Sequence, residues 1–171
     1  MARLPVLLTM LACAAPALAH EGLQCSLQAP ARAEAGAALP LRFTLTNAGA
    51  AAVWVLTWNT PFERQGWLAP YVELTRDGVP VRYQGPAMKR GEPSAEHYLR
   101  LEPGASRTAE VDLALPFDLS RPGRYRVQPR LQLHDVAGAA ARVPRPRSAH
   151  TGRRLPCNAV EFDLVAAAGR G

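Results

Sequence analysis

The chain has 171 residues, 48% of them hydrophobic, and its 20 Lys and Arg against 14 Asp and Glu give a formal net charge of +6. This length suits one domain with a single core. Its 16 prolines and 13 glycines are too many for a helical bundle, and they lack the period of collagen and the clustering of a low-complexity chain. Composition therefore favours a loop-rich β domain.

The first residues have the pattern of a secretory signal peptide. Arg3 precedes an apolar run over residues 4–18, and residues 17–19 read ALA, the small-x-small pattern of a cleavage site. Prolines interrupt the run, and it is too short for a membrane span. We therefore predict a signal peptide over residues 1–19, a secreted or periplasmic location, and one β-sandwich domain over residues 20–171.

Two cysteines remain after this cleavage, Cys25 near the start of the mature chain and Cys157 near its end. Disulfides form and persist in exported proteins, so we predict that these two cysteines pair. The bond would close a long loop, for which the chain-entropy model gives an upper limit of about 5 kcal/mol of stabilisation. It would also tie the first strand of the domain to the last.

Alternating apolar and polar residues predict a series of strands along the mature chain. In the clearest case Leu39, Leu41, Phe43 and Leu45 occupy one face of a strand and polar residues the other. The predicted strands span residues 23–29, 39–47, 52–58, 71–76, 79–83, 97–101, 106–113, 123–134 and 158–165. With no convincing helix between them, they predict an all-β fold, an immunoglobulin-like antiparallel two-sheet sandwich.

Two local features help to fix this arrangement. The pair DG at residues 77–78 is typical of a two-residue hairpin turn, so residues 71–76 and 79–83 are predicted to pair. Tyr125 lies near the start of a strand that follows a turn, as does the tyrosine of the corner in many immunoglobulin-like sandwiches. Tyr125 is therefore interpreted as structural.

Two longer segments interrupt the pattern of short turns. Residues 59–70 contain Phe62 and Trp67, and residues 137–156 form a basic loop with five arginines. Long loops on a rigid scaffold often carry function, and aromatic and arginine side chains often dominate protein interfaces. The predicted partner-binding residues are Phe62, Trp67, Arg145 and Arg147.

Five motifs give the sequence a specific resemblance. They are WNTPF at residues 58–62, PAMKRGEPSAEHY at residues 86–98, LEPG at residues 101–104, VDL at residues 111–113 and PGRYRV at residues 122–127. Together they resemble the non-catalytic β domain that precedes the peptidase domain in bacterial deuterolysin-like, peptidyl-Lys metalloendopeptidase (aspzincin) proteins. The resemblance covers most of residues 23–135. It implies an immunoglobulin-like fold, export and a position beside a zinc protease.

The sequence lacks the motifs of the proteolytic chemistry itself. HEGLQ at residues 20–24 begins like the zinc-binding motif HExxH, but Gln24 stands where the second histidine is needed. There is also no GxSxG motif and no Cys–His arrangement with an orienting group. We therefore predict no catalytic residues, no cofactor and no enzyme activity. The expected function is binding of a secreted protein, a deuterolysin-like metalloprotease, as its inhibitor or folding helper.

Two other functions fit parts of the sequence. Cleavage after Ala19 would leave His20 as the first residue, and an α-amine beside an imidazole suits Cu(II). The remaining histidines, His97, His134 and His150, could supply a further ligand.

The second alternative is carbohydrate or cell-surface binding through Trp54, Trp58 and Trp67, since sugar rings stack on exposed indoles. The alternation around Trp54 favours burial in the core instead. Nucleic-acid binding is disfavoured because the basic stretch lacks aromatic stacking residues and a recognition helix.

Overall fold

The computed structural model of the protein describes residues 22–167. The signal peptide predicted at residues 1–19, together with His20, lies outside the described residues. The strands are β1 (Leu23–Gln28), β2 (Arg32–Glu34), β3 (Pro40–Asn47), β4 (Val53–Leu56), β5 (Val72–Arg76), β6 (Val79–Val81), β7 (Tyr98–Leu101), β8 (Ser106–Asp112), β9 (Gly123–Pro129), β10 (Gln132–Leu133), β11 (Val136–Gly138), β12 (Arg153–Arg154) and β13 (Val160–Val165). Two 3₁₀ turns lie at Ala95–His97 and Arg147–Ala149. Over residues 22–167 the fold contains no helix with the length and apolar character needed to cross a bilayer.

Two of the sheets form an immunoglobulin-like sandwich. One has the strand order β1-β3-β8 and the other the order β2-β13-β9-β5-β6. Neighbouring strands are antiparallel except β2, which is parallel to β13. The first order corresponds to strands A, B and E of an immunoglobulin domain, and β13, β9 and β5 correspond to strands G, F and C. The predicted all-β, immunoglobulin-like antiparallel two-sheet sandwich is confirmed.

The core lies between these sheets and follows from the alternation of β3. Leu41, Phe43 and Leu45 of β3 are fully buried. The ring of Phe43 meets the buried Tyr71 edge to face, with 6.1 Å between ring centroids. On the opposing sheet Tyr125 and Phe162 stack at 5.2 Å. Buried aromatic rings thus fill the space between the layers.

The two local predictions are also confirmed. The hydroxyl of Tyr125 donates a hydrogen bond of 2.7 Å to the backbone carbonyl of Arg121, which is the tyrosine-corner geometry. Asp77 and Gly78 have φ angles of 50° and 82°, as a turn with positive φ at both central positions requires, and β5 pairs with β6.

The structure differs from the predicted strands after Pro129. A single strand was expected over residues 123–134, but β9 ends at Pro129 and β10 pairs instead with β12. The break occurs because the partner changes: Arg130 N–H still donates to Tyr71 O, whereas the carbonyl of Leu131 accepts from Leu155 N–H. The predicted basic loop over residues 137–156 also contains strand residues at both ends, in β11 and β12.

A third sheet, not expected from the sequence, has the order β11-β4-β7. It carries residues 98–101 and 136–138 on the two sides of β4. This sheet positions the candidate site.

Cys25 and Cys157 are joined by a disulfide with their Cα atoms 4.8 Å apart. Cys25 belongs to β1, and Cys157 precedes β13 in the other sheet. The next residue, Asn158, reinforces this link, since its side-chain amide accepts from Leu27 N–H at 2.8 Å and donates to Leu27 O at 2.9 Å. The disulfide and the side-chain amide of Asn158 therefore join β1 to the segment that precedes β13 of the other sheet.

Replacing both cysteines with serine is expected to lower the free energy of unfolding by about 2–5 kcal/mol, because the unfolded chain regains the entropy that the closed loop removes. Urea denaturation of the two proteins measures this difference. As a control, the folded wild-type protein should not react with a thiol reagent. Two reactive thiols in the folded mature protein would contradict the pairing.

Candidate functional site

The first residue of β7 and two loop segments, around Asp135 and between β11 and β12, meet around one buried carboxylate. Asp135 is completely buried. Its Oδ2 accepts a 2.9 Å hydrogen bond from the hydroxyl of Tyr98, and its Oδ1 accepts from the guanidinium of Arg145 and the backbone N–H of Thr151, both at 2.9 Å. We call these four residues the Asp135 network. A buried charge is tolerated when it is paired and fully hydrogen-bonded in this way.

The surroundings of Tyr98 favour its protonated form. Burial, followed by the hydrogen bond to Asp135, raises the pKa of Tyr98 to about 12. The phenol therefore stays protonated at neutral pH and remains a donor to the carboxylate.

A second buried ion pair joins the 59–70 loop to the segment PAMKRGEPSAEHY. Arg90 and Glu63 are 2.6 Å apart, with side-chain exposures of 13% and 7%. Arg90 also donates to Oδ1 of Asn59 at 3.1 Å, and its guanidinium lies 5.5 Å from the centre of the Trp58 ring. The segment PAMKRGEPSAEHY is therefore anchored by its arginine against residues 58–63.

His134 connects this ion pair to the Asp135 network. Since Oδ1 of Asn59 accepts from Arg90, Nδ2 of Asn59 is the donor in the 3.0 Å contact with Nε2 of His134. Nε2 must then be unprotonated. Burial of the ring, followed by the positive charge of Arg90, lowers the pKa of His134, and this agrees with a neutral imidazole.

A cleft of about 820 Å³ opens beside the Glu63–Arg90 pair. Residues 107–110 of β8 form one wall, Tyr98 and Leu99 of β7 form another, and the 59–70 loop with Met88 closes the end. Its apolar lining includes Phe62, Leu68, Leu99 and Ala109, and its charged lining includes Arg64, Arg107, Glu96 and Glu110. Because β7 and β8 are the outermost strands of their sheets in the part of the chain that the structure describes, the cleft lies between two sheet edges.

Two of the predicted partner-binding residues have other roles. Trp67 is only 6% exposed, stacks on Tyr71 at 4.3 Å and donates from Nε1 to the carbonyl of Asp112 at 2.8 Å. Arg145 is turned inward to Asp135. The indole of Trp67 is thus directed into the core and the guanidinium of Arg145 towards the buried carboxylate, and partner binding by these two residues stays a prediction.

The other two predicted residues are accessible. Phe62 is half-buried and lines the cleft. Arg147 is exposed, with its backbone N–H donating to Glu92 at 3.0 Å and its guanidinium donating to the carbonyl of Arg90 at 3.0 Å. Phe62 and Arg147 stay predictions for partner binding.

The residues of the two alternative functions are placed as follows. Trp58 is 4% exposed, and Trp54 is half-buried with the guanidinium of Arg100 lying 5.6 Å from the centre of its ring. Within residues 22–167 no group of three or more His, Cys, Asp and Glu side chains is arranged to hold a metal ion. His20 lies outside the described residues.

Sequence reasoning missed Asp135, although a signal for it was present. Leu131 and Leu133 are buried, and the period of two places Asp135 in phase with them, on the face that points into the protein. A charged residue at a buried position of a strand indicates a paired carboxylate.

No protein-family model matches the chain. Over 111 residues it is 32% identical to an extracellular protease of Aeromonas hydrophila, a match that covers 65% of this chain and 31% of that protein. Over 120 residues it is 30% identical to a probable neutral protease 2 homolog A of Trichophyton rubrum, covering 69% of this chain and 32% of that protein. The chain thus matches about a third of the length of these relatives.

Among solved structures, the chain is similar to the CARDB domain of the PF1109 protein from Pyrococcus furiosus, with a TM-score of 0.38, 9% identity, and coverage of 85% of this chain and 94% of that one.

The contribution of the Asp135 carboxylate to stability can be tested by an isosteric substitution. Asp135→Asn should lower the free energy of unfolding by about 2–3 kcal/mol, because it leaves the partly buried charge of Arg145 without its partner. Urea denaturation measures the loss. Glu110→Gln is the matched control: its partner Arg42 is exposed, so the expected change is under about 1 kcal/mol. Equal losses for the two variants would contradict the role given to Asp135.

The neutral state of His134 predicts a pH dependence. Its pKa in the folded protein lies below the unfolded value of about 6.5, so the unfolded chain binds more protons between the two values. Stability should therefore fall as the pH decreases through this window. His134→Gln retains an acceptor for Asn59 and removes the titration, so unfolding free energies measured over a pH series should show a smaller slope. His97→Gln is the comparison variant, and an unchanged slope in His134→Gln would contradict the assignment.

Proposed function

We propose that this protein is an exported, non-catalytic β-sandwich module that binds a secreted deuterolysin-like metalloprotease, as its inhibitor or folding helper. The observation that carries the proposal is the similarity of 65–69% of the chain to about a third of an extracellular protease and of a neutral protease 2 homolog. A module that matches part of a protease is suited to pack against the rest of such an enzyme.

The non-catalytic role is supported by where the incomplete zinc motif ends. Gln24 lies in β1, opposite Thr46 of β3. The two histidines of HExxH face the same metal because a helix brings positions four apart onto one side. Residues 23–24 are instead on a strand, and the position of the second ligand is a glutamine.

Export is supported by the disulfide between Cys25 and Cys157, since such bonds persist in oxidising compartments. The extracellular protease of Aeromonas hydrophila among the similar proteins agrees with this location. The predicted signal peptide over residues 1–19 would direct it.

The binding surface in this proposal is the loop end with the adjoining cleft. Phe62 supplies a half-buried aromatic anchor in the cleft, and the exposed Arg147, which is bonded to the carbonyl of Arg90, supplies a cation. The two buried ion pairs hold these loops in place before binding, which reduces the entropy lost when a complex forms. The exposed cations would assist the encounter with an acidic partner surface.

The proposal is tested by titrating the purified mature chain against a deuterolysin-like metalloprotease from the same source. Wild type should form a complex, whereas Phe62→Ala and Arg147→Ala should each weaken it by about tenfold without unfolding the domain. Arg82→Ala is the control, because Arg82 is exposed and is not among the residues lining the cleft. Added salt should slow association.

Two further readouts separate the two roles. An inhibitor lowers cleavage of casein by the native protease, whereas a folding helper raises the yield of active protease on refolding and leaves the native enzyme active. No complex at micromolar concentrations would overturn the proposal, and casein cleavage by the purified chain alone would overturn its non-catalytic part.

A further inference from the structure

Strands β7 and β8 follow each other in the chain but do not pair. β7 pairs with β4 and β8 pairs with β3. Asn47, which is 1% exposed, holds the point where the sheets separate, since its Nδ2 donates to Leu101 O at 3.0 Å and its N–H donates to Ala105 O at 2.9 Å. Beyond this fork the edges of β7 and β8 face the cleft.

The register identifies which backbone groups of β8 are open. At the ends of the β3–β8 ladder, Leu113 N–H bonds to Leu39 O and Asn47 N–H bonds to Ala105 O, both at 2.9 Å. In an antiparallel ladder alternate residues bond to the partner strand, so the odd-numbered residues of β8 face β3. The residues with N–H and C=O directed to the open edge are Ser106, Thr108 and Glu110. Over the described part of the chain, no strand pairs with this edge.

The next group on this edge already has a partner. The carbonyl of Asp112 has the same parity, and it accepts the 2.8 Å hydrogen bond from the Trp67 indole. This contact ends the open stretch and shows that a donor can reach the edge.

The lining of the cleft predicts how the side chains would alternate in a further strand that paired with the open edge of β8. Ala109 lies opposite the buried Phe43, and Phe62, Leu68 and Leu99 line the same cleft. Apolar residues would therefore face this side. Residues at the intervening positions would face solvent, like Thr108.

The charges favour an acidic residue in the added strand. Glu63 is held by Arg90 at 2.6 Å and Glu110 by Arg42 at 3.1 Å, and Glu96 accepts from the hydroxyl of Ser94. Among the described residues no acidic side chain forms an ion pair with Arg107. Arg107 lies opposite Leu45, so it is on the cleft side, where it can pair with a carboxylate.

We propose that an extended segment of a partner protein, with alternating apolar residues and a carboxylate facing Arg107, adds as a strand to the open edge of β8. Main-chain hydrogen bonds would supply affinity and the alternate side chains would supply specificity. The inference rests on the proposed function for the identity of the partner as a protease, and it names the way in which that partner would bind.

The mode of binding is tested with a short synthetic peptide that alternates valine and threonine and contains one central aspartate. Titration by calorimetry should show binding to the mature chain. A peptide methylated on the backbone nitrogens of one edge should bind at least about tenfold more weakly, because those nitrogens no longer donate hydrogen bonds. Replacing the aspartate with lysine should also weaken binding, and Arg107→Glu should reverse this preference.

Thr108→Pro is the matching change in the protein. Its N–H points away from β3, so proline removes the edge donor without breaking the ladder. Binding should fall about tenfold or more, whereas Thr108→Ala, which keeps the N–H, should bind like wild type. The thermal midpoint reports whether each variant is folded, and the methylated peptides test the same edge in the wild-type protein.

Equal binding by Thr108→Pro and Thr108→Ala, both folded, would overturn the inference. The absence of peptide binding would also overturn it. In that case, self-association of the protein that is lost in Thr108→Pro would identify a second copy of the chain as the occupant of the edge. Peptide binding without a protease complex would overturn the proposed function alone. A protease complex unaffected by Thr108→Pro would overturn only this inference.

Discussion

A buried carboxylate requires donors to its oxygens, and this requirement at Asp135 determines the arrangement of the loop end. Its hydrogen-bond donors are Tyr98 of β7 and, in the loop between β11 and β12, Arg145 and Thr151. Segments distant in sequence are thereby held at one point. Buried ion pairs contribute little net stability, because desolvation offsets their attraction. We interpret this one as fixing geometry: removing any donor leaves a polar group unpaired, so other loop arrangements are disfavoured.

The second ion pair extends this order to the cleft. His134 is adjacent to Asp135 and accepts from Asn59, which also accepts from Arg90, while Arg90 holds Glu63. The chain of contacts runs from the buried carboxylate to the loop that carries Phe62. The wall of the cleft is therefore held by charge-assisted hydrogen bonds rather than by apolar packing alone. Such bonds are directional, which keeps the loop in place without filling the space beside β8.

Local patterns predicted the elements that depend on local chemistry. The DG turn and the corner tyrosine were predicted because each needs only a few neighbouring residues. The strand break after Pro129 was not, since the apolar alternation continues through Leu133 while only the pairing partner changes. The inward orientation of Trp67 and Arg145 was not predicted for a related reason. An aromatic or cationic side chain in a loop faces outward or inward according to its tertiary partner, and the partners here are Tyr71 and Asp135.

The fork at Asn47 explains why the cleft is bounded by sheet edges. Since β7 pairs with β4, no strand within residues 22–167 pairs with the outer side of β8, and an open edge promotes non-specific association. The edge is protected in two ways. The indole of Trp67 donates a hydrogen bond to the carbonyl of Asp112 at one end, and Arg107 and Glu110 place charges along the rest. A covering loop would exclude every strand, whereas charges exclude only strands that cannot match them. An edge protected in this way remains available to a partner whose side chains complement it.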